Sequence, residues 1–259
     1  MIKIGILALQ GDVREHGECL KRAAGVLGMN TNSPGGKAGS AGKNVEIAMV
    51  RTATDLDNLD GIILPGGEST TMWKLLVRHG MVEKLKKVPC VFGTCAGLIL
   101  MSKHIEGKIE GQESLGLMDC AVSRNAYGPQ IDSFEAVIEI SVGSGKGWHD
   151  EKNGFHGNAL KESGAHGKEP GKKEDDGFHG KASVAFIRAP IITDSGSAKS
   201  VAKHGKDIIG IEKETVANYY LGLACHPEIT GETFFHRRFL EKCSGISENR
   251  LARGKDRNI

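Results

Sequence analysis

Apolar residues fall in short, nearly unbroken runs along this chain, separated by helix-period segments and by glycine-rich turns. Ile2–Leu9, Val45–Val50, Gly61–Leu64, Val88–Phe92 and Leu221–Cys225 alternate too little for strands with one wet face. Runs of this length are expected of strands covered on both sides in a parallel sheet. Between them the period changes. Val13–Leu27 places Cys19, Leu20, Ala23, Ala24 and Leu27 on one stripe and predicts a helix. Thr70–Leu76 and Met81–Lys87 read as helical, broken at Gly80, and Asp55–Asp60 as a short polar helix or turn. Strands that alternate with helices predict an α/β fold, doubly wound around a mostly parallel sheet.

Beyond Met118 the pattern differs. Ser133–Val142 alternates through Phe134, Ala136, Ile138, Ile140 and Val142, as a strand with one exposed face does. Val184–Ile187 and Ile208–Ile211 read as further strands, and these predict an antiparallel extension of the sheet. Thr230–Lys242 reads as a closing helix and Ile246–Ile259 as a charged, frayed tail. Two stretches lack an apolar pattern. Gly28–Lys43 is rich in Gly, Asn and Ser and is expected to be a loop. Gly143–Gly180 holds ten glycines and four histidines among many charges and is expected to bury little. Gly154-Phe155-His156-Gly157 recurs there as Gly177-Phe178-His179-Gly180, too brief an echo for a repeat architecture. The organisation expected is one domain over 1–245, with loop insertions at about 29–44 and 143–177 and a tail over 246–259.

Composition narrows the function classes. The 34 basic and 32 acidic residues leave a net charge of +2, so no polyanion-binding face and no nucleic-acid partner are implied. The apolar start of the chain is too short to span a membrane, and Gly11-Asp12 ends it without a cleavage pattern. Six cysteines without CxxC pairs suggest neither a disulfide framework nor a zinc site, and a reduced, cytoplasmic protein is expected.

Three segments fall where parallel strands end, the address at which such sheets bind ligands. They are Gln10-Gly11, Gly66-Gly67-Glu68-Ser69 and Cys95. In Gly93-Thr94-Cys95-Ala96-Gly97 an apolar run turns into a helix without a polar gap, with cysteine at the apex. This is the spacing of a nucleophile elbow with sulfur in place of the hydroxyl. There the helix dipole stabilises negative charge on sulfur, and the Ala96 N–H points at the oxygen of an attacked carbonyl. A buried core cysteine in a Gly-rich turn is the plain alternative. A cysteine nucleophile needs a base, and the base an orienting group. His226-Pro227-Glu228 offers both, because proline keeps the preceding residue extended and residues i and i+2 then share a side. The other histidines, including His16, His79 and His104, have no comparable partner in sequence and are expected on the surface or in packing. The Pro65–Thr70 loop can converge glycine N–H groups on an oxyanion. Ser69 or Thr70 can cap the helix that follows. Arg124 and Arg188 can each fork onto a carboxylate.

Taken together, these segments resemble the class I, triad-type glutamine amidotransferases. Five ordered motifs narrow the resemblance: Leu7–Asp12, Pro65–Thr71, Gly93–Gly97 with His226–Glu228, Ser123–Gly128 and Phe186–Pro190. They are similar to the glutaminase subunits of pyridoxal 5′-phosphate synthase, over about residues 1–28, 45–142 and 178–243. The resemblance implies a three-layer, flavodoxin-like sheet and hydrolysis of glutamine to glutamate and ammonia through a Cys95 thioester, with His226 and Glu228 completing a triad. It implies substrate contacts from Gly67, Glu68, Ser69, Arg124, Ile187 and Arg188. It implies an oxyanion hole from Gly66, Gly67, Ala96 and Gln10, completed when the synthase docks. No metal or organic cofactor is expected. The partners implied are L-glutamine and the synthase (lyase) subunit in a large hetero-oligomer. A glutaminase of another pathway, such as that of imidazole glycerol phosphate synthase, and a non-catalytic scaffold of the synthase are the competing readings.

Overall fold

The computed structural model describes residues 1–31, 43–124, 133–143 and 178–256. The chain enters through β1 (Ile2–Leu7), α1 (Val13–Val26), β2 (Asn30–Thr31) and β3 (Asn44–Val50). β4 (Gly61–Leu64), α2 (Ser69–Arg78), α3 (Val82–Leu85), β5 (Cys90–Thr94) and α4 (Ala96–Met101) follow. Then come β6 (Ser102–Glu106), β7 (Met118–Ser123), β8 (Phe134–Val142), β9 (Phe178–Phe186) and β10 (Ile191–Asp194). β11 (Lys199–His204), β12 (Asp207–Glu214), β13 (Tyr219–Leu223), α5 (Pro227–Thr230) and α6 (Phe234–Asp256) close the chain.

Among the described residues, ten strands form one sheet in the order β2-β3-β1-β4-β5-β13-β12-β11-β8-β9. From β2 to β13 every neighbour is parallel. From β13 to β9 every neighbour is antiparallel. The parallel half, β3-β1-β4-β5-β13, has the 2-1-3-4-5 order of flavodoxin-like folds. Fold class and antiparallel extension therefore agree with the reading from sequence.

Adjacent residues of a strand face opposite sides of the sheet, and β5 displays the layering this produces. Phe92 turns to one face, where its ring meets Phe239 and His236 of α6 at 5.7 and 5.3 Å and His16 of α1 at 6.0 Å. Gly93 turns to the other face, and a Cβ there would stand 2.6 Å from the Gly97 carbonyl carbon of α4. Helices thus cover both sides of the central parallel strands, which explains why β4 and most of β5 are apolar. Phe92, Phe234, Phe235 and Phe239 are fully buried in the α1–α6 layer.

Several elements depart from expectation. Asn30–Thr31 is a short edge strand where a loop was read. β9 begins at Phe178, inside the stretch expected to bury little. It pairs with β8 from Val142 opposite Phe178 to Phe134 opposite Phe186, and Phe178 stacks on Phe234 at 5.1 Å. The charges preceding it mask one apolar anchor in any composition window. β6, β7 and β10 form a separate three-stranded sheet that periodicity did not reveal. β11 was likewise unpredicted. The closing helix does not fray at Ile246 but continues to Asp256, with Ile246 buried. Glu, Arg, Lys, Leu and Ala are all good helix formers, and they carry it on. The insertion residues 32–42 and 144–177, and the motif residues Asn125–Gly128, lie outside the described residues. No helix among the described residues is long and apolar enough to cross a membrane.

Candidate active site

Parallel registry brings four strand ends to one rim. Ile6 pairs with Ile63, Leu64 with Gly93, and Thr94 with Leu223. The chain leaving β1 therefore delivers Gln10–Asp12, that leaving β4 delivers Pro65–Glu68, that leaving β5 delivers Cys95, and that leaving β13 delivers His226.

Cys95 is the apex of the elbow. Its φ of 48° and ψ of −103° form a strained conformation for a residue with a Cβ. The backbone is held from both sides. Cys95 N donates to Leu223 O at 2.8 Å. Gly97 sits so close to β4 that a Cβ would come within 2.0 Å of the Leu64 carbonyl oxygen. The thiol is nearly buried, and Sγ lies 3.7 Å from Ile187 O and 3.9 Å from Arg188 O. Arg188 itself has a φ of 49°, so the turn that presents these carbonyls is also strained.

His226 is fixed by main chain and side chain together. Its N donates to Ala185 O at 2.8 Å, and its O accepts from Ala185 N at 3.3 Å. Its Nδ1 lies 2.9 Å from Glu228 Oε1 and 3.3 Å from Asp12 Oδ2. Burial alone favours the neutral imidazole. Hydrogen bonding with Asp12, Cys95 and Glu228, and the charge on Cys95, overturn it and raise the imidazole's pKa well above its ordinary value. Nε2, the atom that faces no carboxylate, makes no hydrogen bond of good geometry among the described residues. The imidazole is thus a poised acid–base group with a free nitrogen beside a thiol.

Glu228 is wholly buried, and burial pushes its carboxyl up while the His226 hydrogen bond pulls it back. Its Oε1 also accepts from Thr94 Oγ1 at 3.3 Å and lies 3.4 Å from His16 Nε2. His16 Nε2 is 3.1 Å from Thr94 Oγ1, and its Nδ1 is 3.0 Å from His236 Nε2. The donor atoms of Asp12, His226 and Glu228 lie within 4.8 Å of one another. The two carboxylates are the imidazole's partners, so the triangle is an ion-pair network around His226.

The neighbouring loops form a second polar cluster. Glu68, and not Ser69 or Thr70, caps α2, accepting from Thr70 N at 3.2 Å and Thr71 N at 2.6 Å. Burial raises its carboxyl, but these bonds more than offset that and lower it. Arg124 reaches Glu68 Oε1 and Thr70 Oγ1, each at 3.4 Å. It also donates to Gln112 Oε1, while Gln112 Nε2 donates to Ser69 Oγ at 3.1 Å. Gln10 is turned to the same loop, with Nε2 donating to Glu68 O at 2.7 Å and Oε1 accepting from Glu68 N at 3.4 Å. Gly67, at φ 135°, sits against that amide. Gly66 packs on His226, and Ala96 is buried at the start of α4.

Gln10, the Gly66–Ser69 loop, Cys95, Ala96, Arg124, His226, Glu228 and the carbonyls of Ile187 and Arg188 therefore lie along one rim, while Asn125–Gly128 lie outside the described residues. Sequence reasoning missed Asp12, His16, Thr94, Gln112 and His236. Asp12 and Thr94 adjoin segments already marked as strand ends, which was a usable signal. His16 falls one helical turn after Asp12 and could have been placed beside it. Gln112, in the β6–β7 connection, carried no signal at all.

A cysteine elbow at the carboxyl end of one parallel strand, with an imidazole–carboxylate pair at the end of the next, is the architecture of class I glutamine amidotransferases. A crystal structure of a glutamine amidotransferase is similar at a TM-score of 0.62 and 30% identity, over 93% of this chain and 98% of that one. Residues 6–146 match the SNO glutamine amidotransferase family, and the chain belongs to that family. Two relatives bear the name pyridoxal 5′-phosphate synthase subunit PdxT. That of Thermococcus onnurineus is 36% identical over 93% of this chain and 99% of its own length. That of Pelotomaculum thermopropionicum is 35% identical over 96% and 98%.

Proposed function

We propose that this protein is the glutaminase subunit of a pyridoxal 5′-phosphate synthase. It hydrolyses L-glutamine to L-glutamate and ammonia and delivers the ammonia to the synthase subunit of a cytoplasmic hetero-oligomer. The observation that carries this reading is the meeting of Cys95, His226 and Glu228 at adjacent strand ends in a chain of this family.

The thiolate of Cys95, its proton held on His226, attacks the side-chain amide carbon of glutamine. Charge collects on the former carbonyl oxygen, and preorganised N–H groups stabilise it, with Ala96 and the Gly66-Gly67 loop in that role. His226 Nε2–H protonates the departing nitrogen as the C–N bond breaks, leaving a γ-glutamyl thioester and ammonia. Water then attacks the thioester, His226 takes its proton, and glutamate leaves as the C–S bond breaks. Glu228 holds the imidazole in the tautomer that keeps Nε2 facing the reaction. Arg124, with the Glu68–Ser69 turn and the Ile187–Arg188 turn, grips the amino-acid end of the substrate. Gln10, now bonded to the Glu68 backbone, must re-pair before it can assist the oxyanion, and docking of the synthase on this rim supplies the occasion.

Cys95→Ala and His226→Asn, assayed with the synthase subunit present, are expected to abolish ammonia release while leaving the complex intact. Turnover retained by Cys95→Ala overturns the reading. Stimulation by a histidine-pathway synthase, and not by a pyridoxal-phosphate synthase, moves the protein to the other pathway.

A further inference from the structure

Behind the triad lies a second pair of imidazoles that the hydrolysis as written does not use. His16, on α1, and His236, on α6, are both fully buried. Their rings are 5.2 Å apart at a tilt of 48°, with Nδ1 of His16 3.0 Å from Nε2 of His236. The other nitrogen of His16 aims at Glu228 Oε1 (3.4 Å) and Thr94 Oγ1 (3.1 Å). Two imidazoles from distant helices stacked end to end behind a carboxylate are more than a packing solution. Leucine would fill that space without a polar group to satisfy.

We infer that His16 is a positioning residue for the hydrolysis. As a neutral imidazole with its proton on Nε2, it donates to Thr94 Oγ1, whose hydroxyl donates to Glu228, and so keeps that carboxylate ionised and aimed at His226. This rests on the triad reading given above. The argument is one of donors. Glu228 has no solvent, and only Oε1 has partners, since Oε2 makes no hydrogen bond among the described residues. A buried carboxylate remains an anion only where several donors converge on it. Oε1 has hydrogen bonds from His226 Nδ1 at 2.9 Å and Thr94 Oγ1 at 3.3 Å, and His16 Nε2, bonded to Thr94 Oγ1 at 3.1 Å, stands 3.4 Å from it with its N–H dipole on the same side. Had His16 carried its proton on Nδ1, its Nε2 lone pair would face the anion.

The role requires His236 to carry its proton on Nε2 and to donate to an unprotonated Nδ1 of His16, 3.0 Å away. The groups facing His16 are His236 from α6 and His226 and Glu228 from the β13–α5 segment; Asp12 and Cys95 face His226, Asp12, Cys19 and Cys225 face Glu228, and Arg22 faces His236. Burial and the neighbouring His236 and His226 hold His16 well below its ordinary pKa, in agreement with a neutral donor. Burial likewise lowers His236, to about 3.

The test is the pH profile of glutamine hydrolysis by the glutaminase–synthase complex. In His16→Phe, which loses the donor but keeps a ring, Glu228 takes up a proton more readily. The acid limb of kcat is expected to move up by about one unit and kcat at neutral pH to fall about tenfold, with KM little changed. His16→Gln, which can restore an N–H near the Nε2 position, is expected to return the limb toward the wild type. An unmoved acid limb in a folded His16→Phe protein overturns the inference, as does equal damage in Phe and Gln variants.

Should His16→Phe fail to fold, nitrogen NMR of the wild-type histidines decides. The Nε2–H tautomer at His16, with a shift that responds to Glu228→Gln, supports the role, and the Nδ1–H tautomer refutes it. Wild-type turnover that Cys95→Ala abolishes keeps the triad reading intact whichever way these arms fall.

Discussion

Asp12 Oδ2 lies 3.3 Å from the same His226 nitrogen that Glu228 holds at 2.9 Å. One N–H cannot serve two carboxylates equally, and the shorter contact, from a buried partner, is the orienting one. Asp12 is about one-third exposed, and its hydrogen bond to the ring helps hold the imidazole protonated. Replacing it with Asn is expected to lower the pH at which His226 loses its proton, by about one unit, and to change kcat less than about fivefold. Glu228→Gln removes the orienting group and is expected to lower kcat by about 10²–10⁴. Alkylation of Cys95 by iodoacetamide across a pH series measures the first effect, and steady-state hydrolysis measures the second.

Gln112 joins Arg124 to Ser69, two of the residues proposed to grip the substrate. Its amide is fully buried, receives Arg124 on its oxygen and donates to Ser69 on its nitrogen. Gln112→Ala unpairs both partners and frees the guanidinium to settle fully on Glu68. KM for glutamine is expected to rise about tenfold, roughly the value of one good charge-assisted bond, while kcat changes less than about twofold. Equal loss in kcat and kcat/KM would show that the amide acts on the transition state instead.

How much of this was legible from the chain follows from where the determinants lie. The parallel strands were legible because burial on both faces leaves β4 apolar throughout and β5 apolar up to Thr94. The elbow was legible because its geometry demands glycine on either side of Cys95, and that demand is local. The carboxylate partner of His226 was legible because Pro227 fixes the spacing. What tertiary contact alone creates was not. His16 sits on a helix whose stripe looks complete without it, and only the arrival of α6 gives it a partner in His236. The start of β9 hid behind the charges before Phe178, though its end was read as the strand Val184–Ile187, and α6 beyond Ile246 was read as a tail because its charges outweigh the burial of Ile246. Glu68 took the cap expected of Ser69 or Thr70 because its longer side chain reaches Thr70 N and Thr71 N while keeping an oxygen near Arg124.

Gly66 is held by the imidazole. A Cβ there would stand 2.3 Å from His226 Cε1 and 2.7 Å from Asp12 Oδ2. Gly66→Ala therefore has to displace the ring or the loop. A shift of about 1 Å at a reacting group costs on the order of 10²-fold in rate, and that loss in kcat/KM is expected. Thermal melting should move little, because the clash is confined to the rim. A variant with wild-type kcat/KM would place the loop farther from the imidazole than these distances do.

Far from the rim, Glu212 of β12 and Arg238 of α6 form a buried bidentate pair at 2.7 and 2.6 Å, and Tyr219 donates to the same carboxylate at 2.9 Å. Burial raises the Glu212 carboxyl, but the guanidinium more than offsets it and the net shift is downward. A carboxylate whose folded pKa lies below its unfolded value stabilises the fold above the unfolded value, near 4.5. That stability is lost as pH falls through the folded value. The wild type should therefore lose stability progressively below about pH 4.5. Glu212→Gln removes the bidentate carboxylate from the buried guanidinium and is expected to cost about 3–5 kcal/mol at neutral pH. The same variant should show a flatter dependence in the acid range, because the group that titrates is gone. Urea unfolding at pH 7 and pH 4 for both proteins checks the sign, and parallel losses in the two would assign the acid sensitivity to another carboxylate.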